Sequence, residues 1–293
     1  MNSPFWHYNA LFEPQALIRQ HAAADVPAIP DRFVNYFGVA IDPKFFPSIL
    51  GERVGEVEQE TIPANWHADI AEFGAALRAV ELAETTFTMI ELGCGWGCWM
   101  NITGAAARRR GLGVSLIGVE GDKDHVSFAV QSLTENGFTP DEFTIHRGIA
   151  SAEAGEALFP SQEGGHWGLS PVFNVTAAQR DEALATGHYQ ALAMVPLRDL
   201  AEQHDRIDLL HMDIQGGEYE LVAESLDFLR EKVAYLVIGT HSRAIEGRLW
   251  QALEEAGWLL EMERPGIFMN HENKLTISVD GVQGWRNLAL FPH

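Results

Sequence analysis

Phe87-Thr88-Met89-Ile90-Glu91-Leu92-Gly93-Cys94-Gly95-Trp96-Gly97 decides the reading of this 293-residue chain. Phe87 to Glu91 is a short apolar run ending in an acid, the pattern of a buried strand. Three glycines at alternate positions follow. Glycine lets the backbone turn sharply and approach a ligand closely. The stretch 98–110 reads as a helix. Strand, glycine turn and helix in this order open the ligand-binding units of α/β proteins, whose ligands lie beyond the carboxyl ends of the strands.

The same alternation continues outward. Ser115–Glu120 is a second strand, and His125–Asn136 a helix stopped by Gly137. Phe143–His146, Ile207–Asp213 and Val233–Gly239 are further strands. Glu218–Arg230 and Ala244–Ala256 are helices, the latter closed by Gly257. Residues 257–263 and 275–291 read as an antiparallel addition. Upstream, Trp66, Ile70, Phe73, Leu77 and Val80 recur at helical spacing. The expected fold is α/β and Rossmann-like: a mostly parallel sheet, helices on both faces and C-terminal antiparallel strands. Residues 1–60 form an extension rich in prolines and aromatics. Short helices packed on the core or on a partner subunit are expected there. The main domain is expected over 61–293. Between 151 and 190 the alternation lapses, which suggests a lid or substrate loop. His166 and Trp167 in it are candidate acceptor contacts, or a loop anchor.

Asp and Glu number 41 against 20 Lys and Arg, a formal charge of -21. Such a chain repels polyanions, so neither nucleic acid nor an anionic membrane is an expected partner. Arg108-Arg109-Arg110 is too short for a binding stripe and reads as a solvated helix end. The two cysteines, Cys94 and Cys98, suggest a reducing compartment and a packing role. The start of the chain does not resemble a signal peptide, and no apolar run reaches the ~18–20 residues of a membrane span. A cytoplasmic protein is expected, and the aromatics of residues 1–60 make a homodimer an expectation to test.

An acid precedes the glycines, and Glu120 ends the next strand at a spacing suited to two ribose hydroxyls. Position 98 is Cys, where a dinucleotide fingerprint wants Gly, and no Tyr-x-x-x-Lys pair is visible. An acid beside the turn suits a cofactor with a positive centre and an ammonium group, S-adenosylmethionine.

Glu91–Gly97 resembles the first motif of class I S-adenosylmethionine-dependent methyltransferases. Ile207–Glu218 (IDLLHMDIQGGE) and Val279–Asn287 (VDGVQGWRN) resemble the FkbM-type members. The resemblance spans about residues 65–290 and makes the main domain a methyltransferase. It implies that Gly93, Cys94, Gly95 and Gly97 cradle the methionine part, with Glu91 near the ammonium. Glu120 and Gly121 would hold the ribose, and Gly148, Ile149, Ala150 and Ser151 would flank the adenine. Asp213 would border the cofactor. The implied activity is O-methylation of a saccharide, glycan or natural-product hydroxyl, acting on a small-molecule or glycan acceptor.

Removal of a hydroxyl proton calls for a base, and histidine is suited to neutral pH. His241 ends the fifth strand and is the preferred base, with Asp213 positioning it or the acceptor. His211 shares a strand face with Asp213 and is the weaker catalytic candidate, read as a satisfied, partly buried histidine. A divalent metal held by Asp213, His241 and Glu218 is the alternative, as is a non-catalytic cofactor-binding subunit. Trp66, His67 and Asp69 are candidates to cover the cofactor or to pack as a helix. Arg243 is a candidate for an acidic acceptor or for solvent.

Overall fold

The computed structural model describes residues 3–161 and 166–291. Residues 162–165 of the expected substrate loop, and 1–2 and 292–293 at the ends, lie outside the described residues. The main elements run in order: α1 (Ile70–Leu82), β1 (Thr86–Leu92), α2 (Cys98–Arg109), β2 (Gly113–Glu120), α3 (Lys123–Glu135) and β3 (Phe143–Arg147). Next come β4 (Ile149–Ser151), β5 (Gly155–Pro160), α4 (Ala177–Ala185) and β6 (Tyr189–Pro196). The second half holds β7 (Leu209–Met212), α5 (Glu218–Lys232), β8 (Tyr235–Thr240) and α6 (Arg243–Glu255). It ends with β9 (Trp258–Arg264), β10 (Ile267–His271), β11 (Lys274–Val279) and β12 (Gly281–Asn287).

The central sheet is ordered β9-β12-β8-β7-β1-β2-β3, with the short strand Asn9–Ala10 on the β9 edge. The strands β8, β7, β1, β2 and β3 pair in parallel, whereas β12 is antiparallel to both β8 and β9. The fold is therefore the Rossmann-like α/β architecture with antiparallel C-terminal strands. Strand alternation divides the apolar residues between two cores. Phe87, Met89, Leu209 and Val237 pack with α1, α2 and α3, while Ile90, Leu92, Leu210 and Ile238 pack with α5 and α6. No helix among the described residues is long and apolar enough to cross a membrane.

The chain leaves β1 toward β2 and β3, then crosses back to β7 and β8 on the other side. This reversal opens a crevice at the carboxyl ends of β1 and β7, the usual ligand position in an open α/β sheet. Leu92 and Met212 pair across it, so Gly93 and Asp213 emerge side by side.

Several expectations are corrected. α1 starts at Ile70, not near Asn65, because Asp69 caps it by accepting from Ala71 N (2.7 Å). Trp66 and His67 are left in a loop. Arg109 and Arg110 are exposed at the helix end, as expected, but also bonded: Arg109 donates to the carbonyls of His21 and Phe37, and Arg110 to that of Val80. These arginines fasten α2 to the N-terminal segment and to α1. The 151–190 region carries β5, α4 and the start of β6, and β4-β6-β5 form a separate small sheet. Phe33, Phe37 and Phe45 of the N-terminal segment are buried in the same core as α1 and α2. Trp6 of the same segment is 39% exposed.

Candidate active site

A cavity of about 910 Å³ opens over the β1–β7 crevice. At one end lies the glycine turn. Gly93 has φ +74°, and a Cβ there would overlap the Asp213 carbonyl of the neighbouring strand. The glycine is thus required by its own conformation and by the closeness of the two strand ends. Gly95, Cys94, Glu120, Gly121, Gly148, Ile149, Ala150 and Ser151 line this end. Gly97 lies off the cavity wall as the N-cap of α2, with φ +76°. Glu120 accepts hydrogen bonds from Gly95 N (2.9 Å) and Asp122 N (2.7 Å), which fixes its carboxylate at the rim of the turn. Gly148 is a glycine because β6 crosses it, and a Cβ there would lie 2.6 Å from Val195.

Glu91 lines the cavity, with its carboxyl group held at the start of α2. It is 2% exposed and accepts from Trp99 N (3.4 Å) and Met100 N (3.0 Å), at the first turn of α2. Burial outweighs these two amides and pushes its pKa up to about 8, so near neutral pH it is largely protonated. Cys94 and Cys98 are free and buried, and burial holds both thiols well above their ordinary range. That chemistry fits packing, not nucleophilic work.

The other end is walled by aromatic rings and imidazoles. Phe46, Trp66 and His67 enter from the N-terminal segment, Trp99 from α2, and His211 and Asp213 from β7. His67 sits 5.1 Å from the Trp66 ring, and His211 lies tilted 30° against Trp99 at 5.2 Å. Burial lowers both imidazoles to about 4, against a raising influence from Asp213. Both are neutral at physiological pH. His211 is 2% exposed, and neither of its ring nitrogens has a hydrogen-bond partner. The expectation of a satisfied histidine is overturned. A buried imidazole with both nitrogens free is costly in a core.

His241 differs in every respect. Its Nδ1 lies 2.8 Å from Glu218 Oε1, and its Nε2 lies 3.3 Å from Asp213 Oδ1 and 3.8 Å from Asp280 Oδ2. Burial alone would lower its pKa. The hydrogen bonds and charges of Asp213 and Glu218 prevail and raise it to about 10. His241 is an imidazolium at neutral pH and has no free electron pair, which disqualifies it as the base expected from sequence. It also stands behind Asp213 and off the cavity wall. Its charge holds Asp213 ionised, below the usual carboxylate range despite burial. The Asp213 side chain remains 46% exposed because it faces the cavity.

The trio Asp213, His241 and Glu218 does not form a metal site. The two carboxylates approach opposite nitrogens of one ring, so the three cannot converge on one ion. No cluster of metal-ligating side chains occurs among the described residues. Asp69 is spent on the α1 cap and on Arg264 Nε (2.7 Å). Arg243 is spent on Glu246 and the Gly266 carbonyl. Trp167 stands between the two ends, against Gly95 on one side and stacked on Phe46 on the other. Reading the sequence missed Phe46, Trp99 and His125, and placed Glu218 with His241 as a metal ligand where it is an ion-pair partner. Trp99 and Glu218 belong to stretches already singled out, but Phe46 and His125 carried no local signal.

The family model described as the methyltransferase FkbM domain matches residues 83–260. A protein of Jannaschia sp. (strain CCS1), provisionally named a methyltransferase, is 43% identical over 278 residues, which cover 94% of this chain and 99% of that protein. Among solved structures, methyltransferase FkbM from Methylobacillus flagellatus KT is 12% identical with a TM-score of 0.44, over 74% of this chain and 54% of that one. TrmK of M. capricolum, solved with S-adenosyl-homocysteine, is 9% identical with a TM-score of 0.38, over 72% and 67%.

Proposed function

The chain belongs to the FkbM methyltransferase family and is an S-adenosylmethionine-dependent methyltransferase, and from that premise we propose that it methylates a hydroxyl group of a saccharide-like acceptor. The observation that carries the reading is His211: a neutral, buried imidazole with both nitrogens free, in the cavity wall two residues before Asp213. The cavity residues fit the cofactor, since Gly93 and Gly95 present bare backbone to the cavity beside the Glu120 carboxyl group. Gly93, Cys94 and Gly95 would hold the methionine part, Glu120 and Gly121 the ribose, and Gly148–Ser151 the adenine. The bound cofactor supplies an activated methyl group.

The chain's own residues do the rest. Trp66 and Trp99 offer flat apolar faces to one side of a sugar ring and keep water out. His67 and His211 meet its hydroxyls. The unprotonated nitrogen of His211 accepts the hydrogen of the reacting hydroxyl and takes its proton, and the adjacent Asp213 carboxylate steadies the charge that develops on the ring. Holding the acceptor in line lowers the barrier by several kcal/mol, up to ~7–11 in model systems. A net charge of -21 favours an acceptor that is not a polyanion.

The test has two stages. Calorimetric titration with S-adenosylhomocysteine should give micromolar binding that EDTA leaves unchanged. Transfer of labelled methyl from S-adenosylmethionine should then be screened over saccharides and matched deoxy-sugars. Label on amino groups and none on hydroxyls would sink the O-methylation reading.

A further inference from the structure

We propose that Trp167 and His125 are cofactor-binding residues that close the ribose side of the site over Gly95 and Glu120, an inference that rests on the cofactor reading above. Trp167 comes from the insertion between β5 and β6. Its indole stacks on His125 at 4.0 Å and 28°, and on Phe46 at 4.3 Å and 13°. A Cβ at Gly95 would lie 2.7 Å from the same indole, so the ring edge rests on the glycine turn. Trp167 is nevertheless 44% exposed. It is held by ring stacking from two other segments, not by immersion in the core.

His125 supplies the second, independent observation. It stands in the first turn of α3, where Asp122 Oδ1 accepts from its backbone N (3.0 Å) and fixes its place. The side chain is 3% exposed, lines the cavity and leaves Nε2 buried without a partner. Its neighbour Glu120 is already engaged with Gly95 N and Asp122 N. A buried ring nitrogen without a partner is retained where a ligand provides one. A ribose hydroxyl between Glu120 and His125 would do so, under the indole as an apolar roof. Three segments distant in the chain, at 46, 125 and 167, thereby meet on one face of the ligand.

The experiment compares S-adenosylhomocysteine with 5′-methylthioadenosine, which keeps the adenosine and lacks the amino acid. Calorimetry on the full chain should show Trp167→Ala and His125→Ala weakening both ligands about tenfold and to the same degree. Trp167→Phe should restore most of the affinity. Unchanged affinities in folded variants would overturn the proposal. Weakening confined to S-adenosylhomocysteine would overturn the ribose placement. Should the alanine variants fail to fold, fluorescence decides: S-adenosylhomocysteine should alter the tryptophan emission of the wild type, and Trp167→Phe should remove that change. A change that persists undiminished counts against it. Failure of the wild type itself to bind S-adenosylhomocysteine would instead strike the cofactor reading.

Discussion

The two ends of the cavity are built on opposite plans. At the glycine turn the surface is backbone, and its carboxylates are tied down by local amides: Glu120 by Gly95 and Asp122, Glu91 by Trp99 and Met100. At the far end the surface is side chain, with rings from the N-terminal segment, α2 and β7 and with imidazole nitrogens left free. The first end holds its carboxyl groups in place before any ligand arrives, with only His125 Nε2 left free beside them among its imidazoles. The second has hydrogen-bonding capacity in reserve, which suits an acceptor that is itself rich in hydroxyls.

The contrast can be broken most severely at Gly93. Gly93→Ala would drive a methyl group into the Asp213 carbonyl at a positive φ. S-adenosylhomocysteine binding should fall by about two orders of magnitude or more, with a lowered melting temperature. Retained binding would show that the crevice is looser than its register implies.

His211→Ala tests the other end. Turnover should fall by about 10²–10⁴-fold, as for loss of a general base. S-adenosylhomocysteine affinity should stay within about threefold, well under the 1.4 kcal/mol of a tenfold change. Equal losses in both would erase the division between the ends.

The two strand-end histidines separate by pH. His241 has a folded pKa raised to about 10 from a reference of ~6.5. Its stabilising contribution is therefore complete below about pH 6.5 and is lost as pH rises through 10. The melting-temperature gap between wild type and His241→Gln should be widest near pH 6 and close toward pH 10. The kcat/KM should show no rise with an apparent pKa of 6–7, because His67 and His211 are already neutral there. A gap that widens with pH would contradict the imidazolium assignment.

The smallest effect is expected at Glu91. It is largely protonated near pH 7, so Glu91→Gln should change S-adenosylhomocysteine affinity by less than about threefold. A large loss would return Glu91 to the role of ammonium partner.

How much of this was legible in the sequence follows the same division. Strands β1, β2, β7 and β8 and their helices are local patterns of apolar period and glycine stops, and they were read within a few residues. The turn at 93–97 was legible because its chemistry is contained in consecutive residues. His241 was misjudged because its protonation depends on Asp213 and Glu218 meeting its two ring nitrogens, a pairing that the fold creates. His211 was misjudged because being unpartnered is a property of surroundings, and the surroundings include Trp99 and the N-terminal loop. The strand β6 was missed because its partners are β4 and β5 of a small separate sheet, outside the alternation that guided the reading.

Phe46, Trp66 and His67 all precede residue 83, where the family match begins. Part of the ring wall thus lies outside the matched stretch, while Trp99 and His211 of the same wall lie inside it. The segment is not a detachable module, however, since Phe33, Phe37 and Phe45 plug the same core that supports α1 and α2. Deleting it should yield a protein that cannot fold, not one with a broader clientele. New acceptors would have to be gained by editing the rings one at a time on an otherwise intact plug.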